Sequence, residues 1–172
     1  MSDRSNVYLK DLATGLPVEA VLIDGVSIRQ VELAEVSWKP HIHAAQKQLV
    51  HDKVPQELWP QHLHWDWRRK HKKTARLLAC RWLGIECDQL MQGLTLLDTA
   101  TTGRIPEQSG KPLAYVHYVA TAPWNSPELT NSPKYGWIGR VFIAAAVSSG
   151  YQILKVRSSY EVQHIKKMAS KS

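Results

Sequence analysis

The apolar positions of this chain fall into short β-like runs alternating with longer mixed stretches. "VEAVLIDGVSIRQVEL" holds two β-rich runs around Asp24-Gly25. Asp-Gly between such runs predicts a two-residue hairpin, because both central positions favour positive φ. "HIHAAQKQLVH", residues 41–51, carries helix formers and a modest apolar face. "VPQELWPQ" has two prolines and reads as a turn. Leu63 to Leu83 reads as a second, longer helix ended by Gly84. "LMQGLTLLDTA" reads as a strand, and "TTGRIPEQSGKP" as a polar loop. "LAYVHYVATA" is rich in β-branched and aromatic residues and predicts a buried inner strand over Leu113 to Thr121. "PWNSPELTNSPKYG" is a long irregular connection with three prolines. A helix over Arg140–Ser149, a strand in "YQILKVRSS" and a short basic helix in the tail to Ser172 complete the reading. Helices interleaved with strands predict an α+β fold, close to a three-layer α/β arrangement, in one domain over residues 1–172.

Composition narrows the class. A length of 172 residues suffices for one domain with a sizeable core. No stretch approaches the ~20 apolar residues that span a bilayer. "MSDRSNVYLKD" lacks the apolar region of a signal peptide, so a cytoplasmic location is expected, with no membrane partner. The formal net charge of +7 biases the protein towards acidic partners. Cys80 and Cys87 fit no zinc spacing and read as free buried thiols. His41, His43, His51, His62 and His64 lack both the helical spacing and the acidic cluster of a metal site, so no metal is expected.

"WDWRRKHKKTAR" is the densest positive run. In a helix, Arg69, Lys72, Lys73 and Arg76 share one face, with Trp65, Trp67 and Trp82 beside them. Such a face can contact nucleic-acid phosphates while aromatics stack bases, or meet an acidic protein. It can equally be a solvated surface.

"KYGWIGRVFIAAAVSSG", residues 134–150, runs from a glycine-bearing turn into an apolar helix. A helix start leaves amides unpaired, and the helix dipole favours an anion there. Trp137 stands where phosphate loops usually carry no large side chain. "YVHYVATAPWN" followed by "KYGWIGRVFIAAAV" resembles the GNAT superfamily of acetyl-CoA-dependent N-acetyltransferases. "HWDW" at 64–67 and "MQGL" at 91–94 are similar to features of a small bacterial branch that carries "APWN". The resemblance covers His64 to Gly150.

That resemblance implies a GNAT-like mixed, mostly antiparallel sheet flanked by helices. It implies acetyl-CoA as cosubstrate, with the backbone of Val119, Ala120, Thr121 and Ala122 along the pantetheine arm. In the family's loop Lys134 takes the Gln/Arg position, Trp137 the first glycine and Gly139 the last small position; Gly136 sits one residue early, and Ile138 and Arg140 are the other expected cofactor-binding residues of the loop. Two departures stand out: Trp137 itself, and only 22 residues after Gly150, which implies a truncated sheet. A truncated sheet has an open edge, which a homodimer would cover.

Acetyl transfer to an amine needs a base, for which Asp66, Glu86 and His117 are candidates. The oxyanion needs a donor, which the family takes from a backbone N–H of the central strand. The resemblance makes Tyr160 the candidate acid for the leaving thiolate. Each also has a structural reading: Asp66 as partner of Lys70 four residues on, Glu86 as a solvated group, His117 as one position of an alternating strand, Tyr160 as a surface residue. Trp124 and Asn125 read as a packed turn. The function implied is N-acetylation of an amine, on a small molecule or a protein. The alternative is a catalytically degenerate GNAT-fold protein that binds nucleic acid or a protein through its basic helix.

Overall fold

In the computed structural model, residues 2–102, 106, 109–110, 112–148 and 152–156 are described. The strands are β1 (Asp3–Asp11), β2 (Pro17–Asp24), β3 (Cys80–Cys87), β4 (Leu90–Thr102), β5 (Pro112–Thr121), β6 (Tyr135–Gly136) and β7 (Gln152–Val156). The helices are α1 (Ile28–His51), α2 (Trp67–Thr74) and α3 (Ile138–Ser148). One seven-stranded sheet has the order β6-β1-β2-β3-β4-β5-β7. Its pairs are antiparallel except β5 with β7, which is parallel. The fold is thus α+β with a mixed, mostly antiparallel sheet.

Helices cover both faces. On one, α1 and α2 close over Ile23, Trp82, Leu94, Leu96 and Ala120 through Val31, Ala34, Trp38 and Trp67. On the other, Ile138, Phe142 and Ala146 of α3 pack on Leu9, Leu83, Ile85, Leu97, Val116 and Val119. The strands therefore alternate apolar residues to two cores, as a sheet buried on both faces requires. Gly93 sets the approach of α3: a Cβ there would lie 2.6 Å from Ile138 Cγ2 and 3.1 Å from Phe142 Cε2.

Several expectations are corrected. Asp24-Gly25 ends β2 but makes no hairpin. Ser27 instead opens α1 with a capping box: its hydroxyl accepts from Gln30 N while the Gln30 side chain accepts from Ser27 N. The helix expected over 41–51 is the second half of α1, with Pro40 inside it. The helix expected over Leu63–Leu83 is a 3₁₀ turn at Gln61–His64, then α2 and then strand β3. Gly84 is a strand residue, and a Cβ there would meet Met91 Sδ at 2.8 Å. The expected strand over Leu113–Thr121 is present as β5, and Leu113, Ala114, Val116, Val119 and Ala120 are buried. The expected tail helix lies outside the described residues.

Candidate functional site

β5 is paired on both sides. Its described pairing with β7 runs from Leu113 to Val116, opposite Val156, the last described residue of β7. On the other edge, Leu97 pairs with Val116 but Leu96 pairs with Tyr118, so His117 is an extra residue in the ladder. Such a bulge bends the strand and re-aims the residues after it. Beyond it, Tyr118 to Thr121 pair only with β4 among the described residues.

The register fixes which backbone groups face away from β4. Ala122 N–H donates to Gln92 O at 2.8 Å. Bonded and non-bonded pairs alternate along an antiparallel ladder. Tyr118 and Ala120 therefore turn their bonding groups to β4, and the Tyr118 carbonyl also accepts from Thr95 Oγ1 at 2.8 Å. Val119 and Thr121 turn theirs to the opposite edge, where no strand pairs with them among the described residues. Gly93, the ladder partner of Thr121, lies beneath Ile138, the first residue of α3. The first turn of α3 leaves the amides of Ile138, Gly139 and Arg140 without helical partners. This end of β5 thus lies one strand from a helix start.

A buried polar network locks this corner. Gln92 is itself the extra residue of β4 against β3. Its amide donates to Cys87 O at 2.9 Å and Leu90 O at 3.3 Å. Its Oε1 accepts from Trp124 Nε1 at 2.8 Å and Asn125 Nδ2 at 2.9 Å. Asn125 Oδ1 in turn accepts from Tyr135 N at 2.9 Å. This joins "MQGL" to "APWN" and explains both motifs as one scaffold. The turn reading of Trp124 and Asn125 holds, with its anchor 32 residues upstream of Trp124.

The loop residues have distinct places. Lys134 donates to Asp88 in the β3–β4 turn at 3.0 Å, and Tyr135 Oη donates to the same oxygen at 2.5 Å. These bonds, Tyr135's first, hold the Asp88 carboxyl below the usual carboxylate range. Burial, then the bond to Asp88, pushes the Tyr135 hydroxyl up to about 12. The bonds to Tyr135 and Asp88 raise Lys134. Gly136 pairs with Lys10 of β1. Neither Gly136 nor Gly139 has positive φ; Trp137 does, at 73°. The left-handed residue of this turn is therefore the tryptophan. Its indole is 40% exposed, with Arg140 Cζ 5.6 Å from the ring centroid.

The candidate bases are not brought together. Asp66 caps α2, accepting from Arg69 N at 2.6 Å. The Asp66–Lys70 pair expected from spacing is absent among the described residues; Lys70 Nζ lies 3.4 Å from the Tyr118 ring centroid instead. Glu86 forms an ion pair with Arg4 at 2.9 Å near the far end of β3. His117, at the bulge, lies 3.4 Å from Asp98 Oδ2. Five to six residues of β4 separate the level of Glu86 from that of His117, roughly 17–20 Å. Tyr160 lies outside the described residues. Of the basic cluster, Arg69, Lys72 and Lys73 are exposed on α2, whereas Arg76 lies past its end. Cys87 is buried and Cys80 half-buried, both free, and burial pushes both thiols up.

Sequence reasoning missed the Lys70–Tyr118–Trp65 contact and His62. His62 Nε2 is buried with no partner among the described residues. Burial, helped by His64, lowers its pKa to about 4. The local signal was the aromatic density of "HLHWDW", whose partner Tyr118 is remote in sequence.

No family model and no curated protein matches the sequence. Solved structures do. A point mutant of BH1408 from Bacillus halodurans superposes with TM-score 0.52 at 8% identity, covering 87% of this chain and 90% of that one. A tetramutant of the same protein gives 0.51 at 13%, with the same coverage. The chain shares the fold of BH1408. At these identities the likeness concerns the fold alone. A predicted acetyltransferase with acetyl-CoA from Clostridium acetobutylicum covers 98% of this chain and 88% of its own at 9% identity, with TM-score 0.47, too low to carry an argument.

Proposed function

We propose that this chain is a GNAT-type N-acetyltransferase that takes acetyl-CoA as donor and a primary amine as acceptor. The observation that carries the reading is the edge of β5 beyond the His117 bulge, which has no strand partner among the described residues, with the start of α3 beside its end. An extended pantetheine arm can pair with that edge as a strand would, through the N–H and C=O of Val119 and Thr121. The unpaired amides of Ile138, Gly139 and Arg140 suit the pyrophosphate. Arg140 adds positive charge. Lys134, engaged by Asp88, acts by fixing the loop to the β3–β4 turn.

In this reading the neutral acceptor amine attacks the thioester carbonyl, the Val119 N–H stabilises the oxyanion, and collapse of the intermediate breaks the C–S bond, so that CoA leaves as a thiolate that solvent protonates. His117 is the side chain nearest in sequence that can take a proton, with Asp98 orienting its ring. Asp66 serves as a helix cap and Glu86 as a partner of Arg4, so neither is assigned to proton transfer.

A thermal-shift titration tests the proposal. A ligand that binds only the folded state at about 100 times its Kd adds ~2.7 kcal/mol of stability. Acetyl-CoA should raise Tm by several degrees, and no rise at millimolar acetyl-CoA would count against the reading. A second reading, contact with nucleic acid through α2, is favoured by the exposed Arg69, Lys72 and Lys73. In that case Lys72→Ala with Lys73→Ala lowers the salt slope of binding by roughly two.

A further inference from the structure

Lys70 is on α2 with its charged end turned inwards to aromatic rings. Its Nζ lies 3.4 Å from the Tyr118 ring centroid and 5.1 Å from that of Trp65. The two rings meet edge to face at 5.1 Å, and Trp67 backs both at 5.3 and 6.5 Å. No carboxylate pairs with Lys70 among the described residues, so the rings are its charge partners there. An aromatic face attracts a cation through its quadrupole, most strongly where water is partly excluded. Lys70, Trp65 and Tyr118 are all half-buried.

The position of these rings matters. Tyr118 is the first residue after the bulge, and Val119, whose N–H faces away from β4, comes next. A cation seated on Tyr118 is therefore one residue from the backbone group that would stabilise the oxyanion. Lys70 is flexible, and its four-carbon stem can swing to solvent without disturbing α2, whose cap is Asp66 and whose buried anchors are Trp67 and His71.

We propose that the Tyr118–Trp65 surface is the seat where the acceptor's ammonium docks, giving up one proton to solvent before the neutral nitrogen attacks, and that Lys70 holds the seat until the acceptor displaces it. This deepens the acetyltransferase reading and rests on it for the chemistry, though not for the ammonium site itself. The site suits a compact, singly charged primary amine. It does not suit a polycation, because Arg69, Lys72 and Lys73 are close by on α2 and the whole chain carries +7.

The test uses tetramethylammonium, which cannot be acetylated, and butylammonium, read by tryptophan fluorescence on the full chain. Lys70→Met should bind both about tenfold more tightly than wild type, since no resident cation must leave. Trp65→Leu and Tyr118→Leu, each combined with Lys70→Met, should abolish that gain while Tm confirms that they fold. Spermine should bind no more tightly than butylammonium. Equal binding by wild type and Lys70→Met, a gain that survives Tyr118→Leu, or spermine binding tenfold tighter overturns the proposal. Acetyl-CoA binding without ammonium binding sinks this proposal and leaves the acetyltransferase reading standing. Ammonium binding without acetyl-CoA binding does the reverse: the seat stands as an ammonium site and the reaction does not.

Discussion

Replacing Gln92 by leucine tests whether the "MQGL" and "APWN" segments form one scaffold. Gln92 is 1% exposed and makes four side-chain hydrogen bonds, at 2.9 and 3.3 Å to Cys87 O and Leu90 O and at 2.8 and 2.9 Å from Trp124 and Asn125. Leucine has similar volume and no polar atom. Each lost bond costs about 1 kcal/mol net, more where the remaining partner stays buried and unpaired. Asn125 is buried but keeps a 3.4 Å contact to the Gln92 carbonyl; Trp124 is half-buried, so water can reach its N–H. The sum is about 3–5 kcal/mol. For a chain of this size that is roughly a 10 °C fall in Tm. Urea unfolding monitored by tryptophan fluorescence measures it directly. A Gln92→Leu variant within about 1 kcal/mol of wild type would refute the idea that this network holds the corner.

The remaining predictions are narrower. Val116→Asp puts a charge among Leu97 and the buried face of α3 and should cost several kcal/mol, read by denaturant unfolding. Trp137→Gly should change stability by less than about 1–2 kcal/mol, because glycine suits φ 73°, and should tighten acetyl-CoA binding by calorimetry; Gly139→Trp should abolish binding. His62 titrates at about 4 in the fold against an ordinary 6.5 in the unfolded chain, so the unfolded chain binds the extra proton between these values. Its contribution is intact above pH 6.5 and about 3 kcal/mol is lost as pH falls to about 4; urea unfolding of His62→Gln should show a flatter profile over that window than wild type.

The parts of the fold legible in the sequence are those set by local chemistry. The β-branched run of β5 and the apolar stripe of α3 announce themselves. Elsewhere a local signal gave way to a stronger one. Asp24-Gly25 has hairpin chemistry, yet the Ser27–Gln30 capping box starts a helix three residues later. This helix is expected only over 41–51, but α1 starts at Ile28 and runs through Pro40, with Val31, Ala34 and Trp38 buried on the sheet. "CRWLGIEC" comes after a helix without a clear break and becomes β3 because both faces of the sheet need its apolar residues.

The site was half legible. The strand β5 and the helix α3 are expected from pattern, and the register shows that, of the four proposed positions Val119–Ala122, Val119 and Thr121 turn their backbone groups away from β4. Side-chain roles were less visible, since they depend on contacts remote in sequence. Lys134 has the charge expected at a phosphate loop, but its partner Asp88 is 46 positions away. Lys70 is four residues from Asp66, but the aromatic ring that holds it comes from β5. A left-handed conformation at a tryptophan has no sequence signature at all.

The central claim is that the edge of β5 beyond His117 and the first turn of α3 together hold acetyl-CoA. Amide correlation spectra of isotope-labelled protein during an acetyl-CoA titration test it most directly. The account predicts large shifts at the amides of Val119, Thr121, Gly139 and Arg140, with Ala120, whose N–H is bonded to β4, moving little. Spectra unchanged at millimolar acetyl-CoA, or shifts confined to α2, would contradict it.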